Sequence, residues 1–355
     1  MTVDDFQERI FITGGAGFIG SNLLLKMVGK YPETLFVNID CLTYAGNLTN
    51  LTEIEQAANY RFEHVDINDF EALQSRFDRY DPGGVIHLAA ESHVDRSIIG
   101  PSAFIQTNIV GTFNLLELAR KKVEKQGRDS FRFHHVSTDE VFGSLGEVGH
   151  FTESTRYRPN SPYSASKASA DHLVRAYART YDMDVVTTNC SNNYGPYQFP
   201  EKLIPLMIRN AREGLPLPVY GDGKHVRDWL YVGDHAAALD LVFRKGMAGE
   251  TYCIGGHNEI ENIQLVRLIC EILDDELRGG PREDLIEFVT DRKGHDRRYA
   301  IDASKIGREL GWIPSVTFRE GLRKTIEWYL DNQEWLNRCI SGDYQKYYDE
   351  MYTGR

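Results

Sequence analysis

The chain has 355 residues, of which 41% are hydrophobic and 11% aromatic, a composition typical of a globular protein with about two to three domains. It carries 40 Lys and Arg against 52 Asp and Glu, which gives a formal net charge of −12. This balance argues against a general nucleic-acid binder and against attachment to an anionic membrane surface, because both need a clustered excess of Lys and Arg. An anionic ligand therefore requires a local basic pocket.

The cysteines and the N-terminus favour a soluble cytoplasmic protein. Five cysteines are scattered along the chain without a C-x-x-C pair, which is typical of a reducing compartment and not of a disulfide scaffold. The N-terminal segment MTVDDFQERI has no basic region ahead of an apolar stretch, so it does not resemble a secretion signal. No apolar run approaches the roughly 18 residues of a membrane span.

Short apolar runs alternate with helical stretches through the first half of the chain. The predicted strands, in chain order, are Arg9–Thr13, Leu35–Asp40, Arg61–Ile67, Gly84–Ala90, Arg132–Ser137 and Asp184–Cys190. The predicted helices between them are Asn22–Lys30, Asp69–Tyr80, Ser102–Lys122 and Tyr163–Tyr181. Such alternation predicts βαβ units, and hence an α/β fold with a doubly wound parallel sheet of the Rossmann type.

The alternation breaks after Tyr194, where five prolines crowd a short stretch. Further elements are predicted at Leu203–Glu213, Pro218–Tyr220, Thr251–Ile254, Ile263–Leu273, Ile286–Val289 and Phe318–Asn332. We expect residues 1–194 to form the first domain and 195–355 a smaller mixed α/β domain that covers its ligand edge, with some exchange of chain between the two.

A glycine-rich loop follows the first predicted strand and opens a helix. Gly15, Gly17 and Gly20 satisfy G-x-G-x-x-G, and Gly14 extends the pattern. Glycines let the backbone approach a pyrophosphate, whose charge lies at the helix N-terminus. Asp40 ends the second strand 20 residues after Gly20, where a carboxylate accepts hydrogen bonds from the adenosine ribose and repels a 2′-phosphate. The pattern predicts NAD rather than NADP as the cofactor.

Tyr163 and Lys167 lie at i and i+4, on one face of a predicted helix. A neighbouring ammonium favours the phenolate and is expected to lower the pKa of the tyrosine. Such a tyrosine can take the proton of a substrate hydroxyl while hydride leaves the same carbon, and Lys167 can also donate to the nicotinamide ribose.

Several motifs in order resemble the extended short-chain dehydrogenase/reductase family, which comprises nucleotide-sugar epimerases and dehydratases. The motifs are HLAAESHVD from His87, STDEVFG from Ser137, NNYGPY from Asn192, RDWLYV from Arg227 and DRKGHD from Asp291. The resemblance covers roughly Arg9 to Tyr329, with Lys293 and Phe142 departing from a usual proline and tyrosine. It implies an NAD-binding first domain that carries the catalytic residues and a second domain that binds a nucleotide sugar.

Thr138, Asp139 and Glu140 follow the fifth strand, at the edge where such sheets bind ligands. Neighbouring side chains of a strand point to opposite faces, so Asp139 and Glu140 reach one substrate only if the chain has left the strand there. By resemblance, Tyr163 and Lys167 serve oxidation at C4 of the hexose, Thr138 holds the C4 oxygen, Glu140 is the base at C5 and Asp139 is the acid at C6. Elimination itself requires one acid and one base.

The resemblance also implies the remaining binding residues. The cofactor would be bound by Gly14, Gly17, Phe18, Ile19, Gly20, Asp40, Thr43, Asp66, Ile67, Leu88, Ala89, Ala90, Ser92, Thr107, Tyr163, Lys167 and Asn193. The substrate would be bound by Ser92, Thr138, Asn192, Lys202, Leu203, Pro218, Tyr220, Arg227, Asn262, Arg292 and His295. Among these, Lys202, Arg227 and Arg292 supply the positive field that the acidic chain otherwise lacks.

The resemblance favours dehydration of dTDP-glucose in deoxysugar biosynthesis of the rhamnose type. A 4-epimerase and a dehydratase acting on another nucleotide sugar remain alternatives, as does a catalytically silent protein that senses a dinucleotide. An epimerase has no need of the acid–base pair. We expect no metal site, since His87, His134 and His135 lie in strand runs that favour packing. Homodimerisation through helices near Ser102–Lys122 and Tyr163–Tyr181 is the family expectation.

Overall fold

The computed structural model describes residues 2–340, and its centre is a parallel sheet of seven strands. The sheet order is β3-β2-β1-β4-β5-β6-β10, and every neighbouring pair is parallel. These strands are β1 Glu8–Thr13, β2 Thr34–Asp40, β3 Tyr60–His64, β4 Gly84–His87, β5 Arg132–Thr138, β6 Asp184–Cys190 and β10 Thr251–Ile254. The order reverses between β1 and β4, which is where doubly wound sheets bind ligands.

Helices cover both faces of this sheet. In chain order the α-helices are α1 Phe18–Lys30, α2 Phe70–Tyr80, α3 Val94–Ile99, α4 Pro101–Phe104, α5 Thr112–Gln126, α6 Pro162–Tyr181, α7 Leu203–Glu213, α8 Val232–Lys245, α9 Asn262–Glu276, α10 Ser304–Leu310, α11 Phe318–Asp331 and α12 Gln333–Ile340. Ile10 and Ile12 belong to one buried cluster and Phe11 to another, so successive residues of β1 pack on opposite faces. Burial on both faces explains the continuous apolar strand sequences.

The C-terminal part adds two small sheets and a separate core. The order β11-β9-β7 joins Glu259–Glu261, Val226–Tyr231 and Asn192–Tyr194, and β12 (Ile286–Val289) pairs with β8 (Leu217–Tyr220). Helices α7, α9 and α11 pack against them around a third apolar cluster. This part lies beside the carboxyl ends of the large sheet, since β7 follows β6 after one residue.

The α/β fold with a doubly wound parallel sheet is confirmed, and most predicted elements are present within a few residues. Two predicted strands end early, at His64 and His87, because the chain turns into the ligand edge there. The predicted helix Ser102–Lys122 is interrupted by a π-helical stretch, Ile105–Gly111, and continues to Gln126. Helix α8 had no predicted counterpart.

The division at residue 195 remains a prediction. Strand β10 lies beyond that boundary in the chain but is the edge strand of the large sheet, paired with β6. Helix α8, also beyond it, packs against α1. The exchange of chain between the two domains likewise remains a prediction, and residues 341–355 of the predicted second domain lie outside the described range. None of the helices within residues 2–340 combines the length and apolar character needed to cross a membrane.

Candidate active site

The glycine-rich loop turns tightly between β1 and α1. Gly14 has φ +71°, and a Cβ there would lie 2.7 Å from the backbone nitrogen of Ala89. A Cβ on Gly20 would lie 2.2 Å from the carbonyl oxygen of Gly14. Side chains are therefore excluded at both positions, and the backbone stays open to a phosphate at the start of α1.

Asp40 ends β2 next to this loop and braces it. Its carboxylate accepts hydrogen bonds from the backbone N–H of Ala16 at 2.9 Å and of Leu42 at 2.8 Å. Burial raises the pKa of Asp40, although these two backbone donors act in the opposite direction. Each carboxylate oxygen can accept a second hydrogen bond, and Asp40 lines the neighbouring cavity, so it has capacity to accept from a ribose hydroxyl as well.

A cavity of about 340 Å³ opens above the loop, at the carboxyl ends of the parallel strands. Every residue predicted to bind the cofactor lines it: Gly14, Gly17, Phe18, Ile19, Gly20, Asp40, Thr43, Asp66, Ile67, Leu88, Ala89, Ala90, Ser92, Thr107, Tyr163, Lys167 and Asn193. The loop glycines, the carboxylate of Asp40 and the apolar floor together fit a dinucleotide.

Tyr163 and Lys167 reach this cavity from the first turns of α6. The helix begins at Pro162 after Ser161, whose hydroxyl accepts from the backbone N–H of Ser164 at 3.0 Å. Such a cap fixes where the helix starts, and so where Tyr163 points. The ammonium of Lys167 donates to the carbonyl of Val136 at 2.9 Å, which ties the helix to β5.

The sequence predicted a lowered pKa for Tyr163, but the structure raises it. Burial raises the pKa of Tyr163 well above its ordinary value, and the negative charge of Glu140 adds to this effect. A hydrogen bond with Thr138 acts in the opposite direction. The prediction was wrong because it weighed the ammonium of Lys167 alone, without desolvation or the neighbouring carboxylates.

Thr138 is the last residue of β5, and Asp139–Phe142 form a 3-10 turn. The chain has therefore left the strand, as required if Asp139 and Glu140 are to serve one substrate, and both residues line the cavity. The backbone N–H of Glu140 donates to the hydroxyl of Thr138 at 3.3 Å. This hydrogen bond stabilises the start of the 3-10 turn.

The two carboxylates have different surroundings. Burial raises the pKa of Asp139 well above its usual range, with the charges of Glu140 and Asp228 acting in the same direction. Its Oδ2 is buried without a hydrogen-bond partner among the described residues, as suits a protonated acid. Burial also raises the pKa of Glu140, but three cations oppose it, with Arg292 and Lys202 ahead of Arg227.

A second cavity of about 160 Å³ adjoins the first. Nine residues predicted to bind the substrate line it: Asn192, Lys202, Leu203, Pro218, Tyr220, Arg227, Asn262, Arg292 and His295. The other two, Ser92 and Thr138, line the first cavity. The cavities share Glu140, Asn192, Asn193, Gln198, Glu201 and Lys202, so the structure places a basic pocket directly beside Glu140.

Arg227 is held rigidly in this pocket. Its guanidinium donates to the carbonyl oxygens of Val226 and Asp296, both at 2.8 Å, and lies 4.3 Å from the ring centre of Tyr299. Burial lowers the pKa of Arg227, whereas the contact with Tyr299 and the charge of Glu140 act to raise it. A guanidinium fixed in this way is already oriented for a phosphate.

A family model for GDP-mannose 4,6 dehydratase matches residues 11–325 of the chain. The chain belongs to this family. Curated relatives include the dTDP-glucose 4,6-dehydratase of Salmonella typhimurium strain LT2, which is 57% identical over an alignment of 360 positions. The alignment covers 98% of this chain and 99% of the relative. The enzyme of the same name from Neisseria meningitidis serogroup B is 57% identical and covers 96% of this chain and 98% of its own.

Solved structures of the same enzyme are similar throughout. The Bacillus anthracis dTDP-glucose 4,6-dehydratase in complex with NAD has a TM-score of 0.84 at 47% identity, covering 94% of this chain and 99% of its own. The Streptomyces venezuelae dTDP-glucose 4,6-dehydratase with NAD and TYD has a TM-score of 0.87 at 45% identity, covering 93% and 99%. A Thermus thermophilus UDP-glucose 4-epimerase is only 28% identical, with a TM-score of 0.82 and coverage of 91% and 99%.

Several other residues that line the two cavities were not identified from the sequence. Glu201 is a buried acid in both cavities, and its carboxylate accepts from Nε of Arg96 at 3.1 Å. Gln198 also lines both cavities, and Cys190 lines the first. Glu201 and Gln198 lie in an irregular stretch without periodicity. Their nearness to Lys202 in the sequence is the one signal that could have indicated that they line the site.

The histidines considered as metal ligands are core residues. His87 lies between the hydroxyls of Thr13 and Thr112, at 2.7 and 2.9 Å, and His134 contacts the hydroxyl of Thr188 at 3.1 Å. His135 contacts Asp171, a carboxylate that the sequence analysis did not consider.

Within the described residues, the group His225, Asp291 and His295 comes closest to a metal-ligand arrangement. The imidazoles of His225 and His295 stack with their centres 3.7 Å apart, and both nitrogens that face Asp291 are engaged by its carboxylate. The charges of Arg292 and Arg227, added to the effect of burial, lower the pKa of His295. The same charges oppose a bound cation.

Proposed function

We propose that the chain is an NAD-dependent dTDP-glucose 4,6-dehydratase, a hydro-lyase that forms dTDP-4-keto-6-deoxy-glucose and water in deoxysugar biosynthesis. The observation that carries this proposal is the pair Asp139 and Glu140, which lines one cavity together with Tyr163, while Glu140 also lines the adjoining basic pocket. Full-length relatives with this activity at 57% identity support it.

Oxidation at C4 has to come first in this reaction. The hydrogen on C5 of a hexose is not acidic until C4 is a ketone, because only then is the carbanion stabilised as an enolate. NAD⁺, when bound in the first cavity, would supply the redox chemistry of the cycle. The hydride removed from C4 is the one that later reduces C6. Tyr163 takes the proton of the C4 hydroxyl, Thr138 holds the C4 oxygen, and Lys167 would donate a hydrogen bond to the nicotinamide ribose.

The surroundings of the two carboxylates assign their roles in the elimination. Glu140 faces Arg292, Lys202 and Arg227, which favour its ionised form, so it serves as the base that removes the C5 proton. Asp139 is buried with an unpartnered oxygen and stays protonated, so it gives its proton to the departing C6 hydroxyl. Burial raises the pKa of both carboxyl groups, but more cations oppose this effect at Glu140 than at Asp139, and unequal environments of this kind are the usual basis of such a division.

The second cavity is the site proposed for the nucleotide diphosphate. Lys202, Arg227 and Arg292 converge on it, and arginine forks suit phosphate oxygens. Tyr220 and Asn262 also line this cavity, and contacts with the base or sugar are expected from them. Binding here leaves the hexose beside Glu140, which lines both cavities.

A 4-epimerase is the second candidate, because the fold is shared with a UDP-glucose 4-epimerase. Epimerisation needs oxidation and reduction at C4 but no proton donor or base for C5 and C6. The buried Asp139 and the charged surroundings of Glu140 therefore favour the dehydratase. The same argument weighs against a silent dinucleotide sensor.

We also propose that the protein is a cytoplasmic homodimer. Ile99, Ile105, Val110 and Phe113 expose apolar side chains along α3–α5 and the π-helical stretch between α4 and α5, and Tyr181 is exposed at the end of α6. A second copy seated on these helices would bury that patch. Sedimentation of the purified protein tests the dimer, and a monomer at micromolar concentration contradicts it. Fractionation of the source cells tests the compartment.

Incubation of the purified protein with dTDP-glucose tests the function. The expected product is lighter than the substrate by one water and contains a C4 ketone, without net consumption of NAD. UDP-glucose and GDP-mannose in parallel reactions test the nucleotide preference. A product of unchanged mass with inverted C4 identifies an epimerase, and no product from any of the three contradicts the enzyme assignment.

A further inference from the structure

The backbone of Ala16, inside the glycine-rich loop, is hydrogen-bonded through both its N–H and its carbonyl oxygen. Its N–H donates to Asp40, as described above. Its carbonyl oxygen accepts from the backbone N–H of Asn47 at 2.9 Å and from the side-chain amide of Asn50 at 3.2 Å. The conformation of the phosphate loop therefore depends on the segment that contains Asn47 and Asn50.

Asn50 is buried, and a C-terminal residue fixes its orientation. Its Nδ2 donates to the carbonyl of Ala16 and to the hydroxyl of Ser21 at 3.1 Å, at the start of α1. Its Oδ1 accepts from Nε1 of Trp335 at 2.7 Å. Because an indole N–H is only a donor, this contact determines which end of the amide faces the loop.

A second contact joins the same helix to the same segment. Cys339 follows Trp335 by one helical turn, and its Sγ accepts from Nδ2 of Asn47 at 3.8 Å. The indole of Trp335 is held by edge contacts with Trp328 and Tyr197, whose ring centres lie 5.0 and 6.2 Å away. Helix α12 thus contacts both asparagines that hold Ala16.

We infer that α12 is a brace that retains the dinucleotide, with Trp335 and Asn50 as its positioning residues. Neither residue lines the cofactor cavity, so the brace acts through the loop and not by touching the ligand. The inference rests on the proposed function in one respect: a reaction that regenerates its cofactor in every cycle gains from slow cofactor release. The pinned carbonyl of Ala16 keeps the loop in the conformation that receives the phosphates.

The test is the rate at which NAD⁺ leaves the purified holoprotein after dilution into a trap. Trp335→Phe keeps an aromatic ring and removes the N–H, and release is expected to become about fivefold faster, the equivalent of one lost hydrogen bond. Trp328→Phe is the matched control, because it alters the same aromatic cluster without touching Asn50. Asn50→Ala also accelerates release, and adding Trp335→Phe to it has little further effect.

Release from Trp335→Phe at the wild-type rate overturns the inference, as does equal acceleration by Trp328→Phe, which would indicate loss of packing alone. If Trp335→Phe is not recovered folded, Asn50→Ala carries the test, and an unchanged release rate in that variant contradicts the brace. Because release is measured without any sugar nucleotide, absence of dehydratase activity leaves this result interpretable and bears on the proposed function only.

Discussion

The carboxylate of Asp171 lies one helical turn after the ammonium of Lys167, and both groups are buried. Asp171 accepts from Nε2 of His135 at 3.0 Å and from the hydroxyl of Tyr157 at 2.8 Å. The amide of Asn189 donates to Asp171 at 3.3 Å and also to the carbonyl of Thr138 at 3.1 Å. A buried anion therefore links the helix of Tyr163 to the end of β5, directly before Asp139 and Glu140.

Replacement of this anion should change both stability and its pH dependence. Burial acts to raise the pKa of Asp171, but the hydrogen bond from His135 and the nearby charge of Lys167 outweigh it, so the pKa is lowered. A lowered carboxyl pKa stabilises the fold above the unfolded value of about 3.9, and this contribution is lost as the pH falls through the folded pKa.

Thermal unfolding of Asp171→Asn against pH measures this effect. The variant should be destabilised by about 1–3 kcal/mol at neutral pH, because the buried hydrogen bonds from His135 and Tyr157 lose their charged acceptor. The deficit should shrink toward acid pH. Tyr157→Phe, which removes one donor and keeps the charge, should show a smaller deficit. A deficit in Asp171→Asn that is the same at pH 3 and pH 7 contradicts an ionised Asp171.

Asp40→Ala should weaken NAD binding and relax the rejection of NADP. The change removes the carboxylate proposed to accept from the ribose, and it also frees the N–H of Ala16 that this carboxylate holds. Fluorescence titration with both cofactors measures the preference. An unchanged ratio of the two dissociation constants would mean that Asp40 only braces the loop.

Tyr163→Phe should lower turnover by roughly 10²–10⁴, the usual contribution of a positioned acid–base group. NAD content should not change greatly, because the phenyl ring keeps the wall of the cavity. Steady-state rates with dTDP-glucose, together with cofactor content of the purified variant, check both statements. A loss below about tenfold removes Tyr163 from the proton transfer at C4.

Arg227→Lys should raise KM more than it lowers kcat. Lysine keeps the charge but cannot donate to Val226 and Asp296 and also present a fork to the diphosphate. A group that binds the ground and transition states equally affects KM alone. Initial rates over a range of dTDP-glucose concentrations separate the two constants, and a loss confined to kcat would place Arg227 in the chemistry.

Local patterns made a large part of the site predictable. The glycine loop and the i, i+4 pair on α6 depend on spacings of a few residues and Asp40 on a spacing of 20 from Gly20, and the alternation of strands and helices places them at one sheet edge. The direction of the Tyr163 pKa was not predictable, because it depends on desolvation and on Glu140, which only the folded chain brings near.

Long-range contacts explain what the sequence analysis missed. Glu201 accepts a hydrogen bond from Arg96, which is 105 residues away in the sequence. Trp335 donates to Asn50, which is 285 residues away. Neither pair has a spacing that a local pattern could reveal. The same holds for Thr251–Ile254, whose place at the edge of the large sheet depends on pairing with β6.

The central claim is that Glu140 is the base and Asp139 the acid of the elimination. Deuterium incorporation at C5 of recovered dTDP-glucose, measured by mass spectrometry and NMR in D₂O, tests it most directly. Asp139→Asn keeps the base and lacks the proton donor, so with stepwise elimination the enolate should be reprotonated more often than dehydrated. Recovered substrate should then gain deuterium faster than product forms, whereas Glu140→Gln should show no exchange. Exchange in Glu140→Gln without exchange in Asp139→Asn would contradict the account and reverse the two roles.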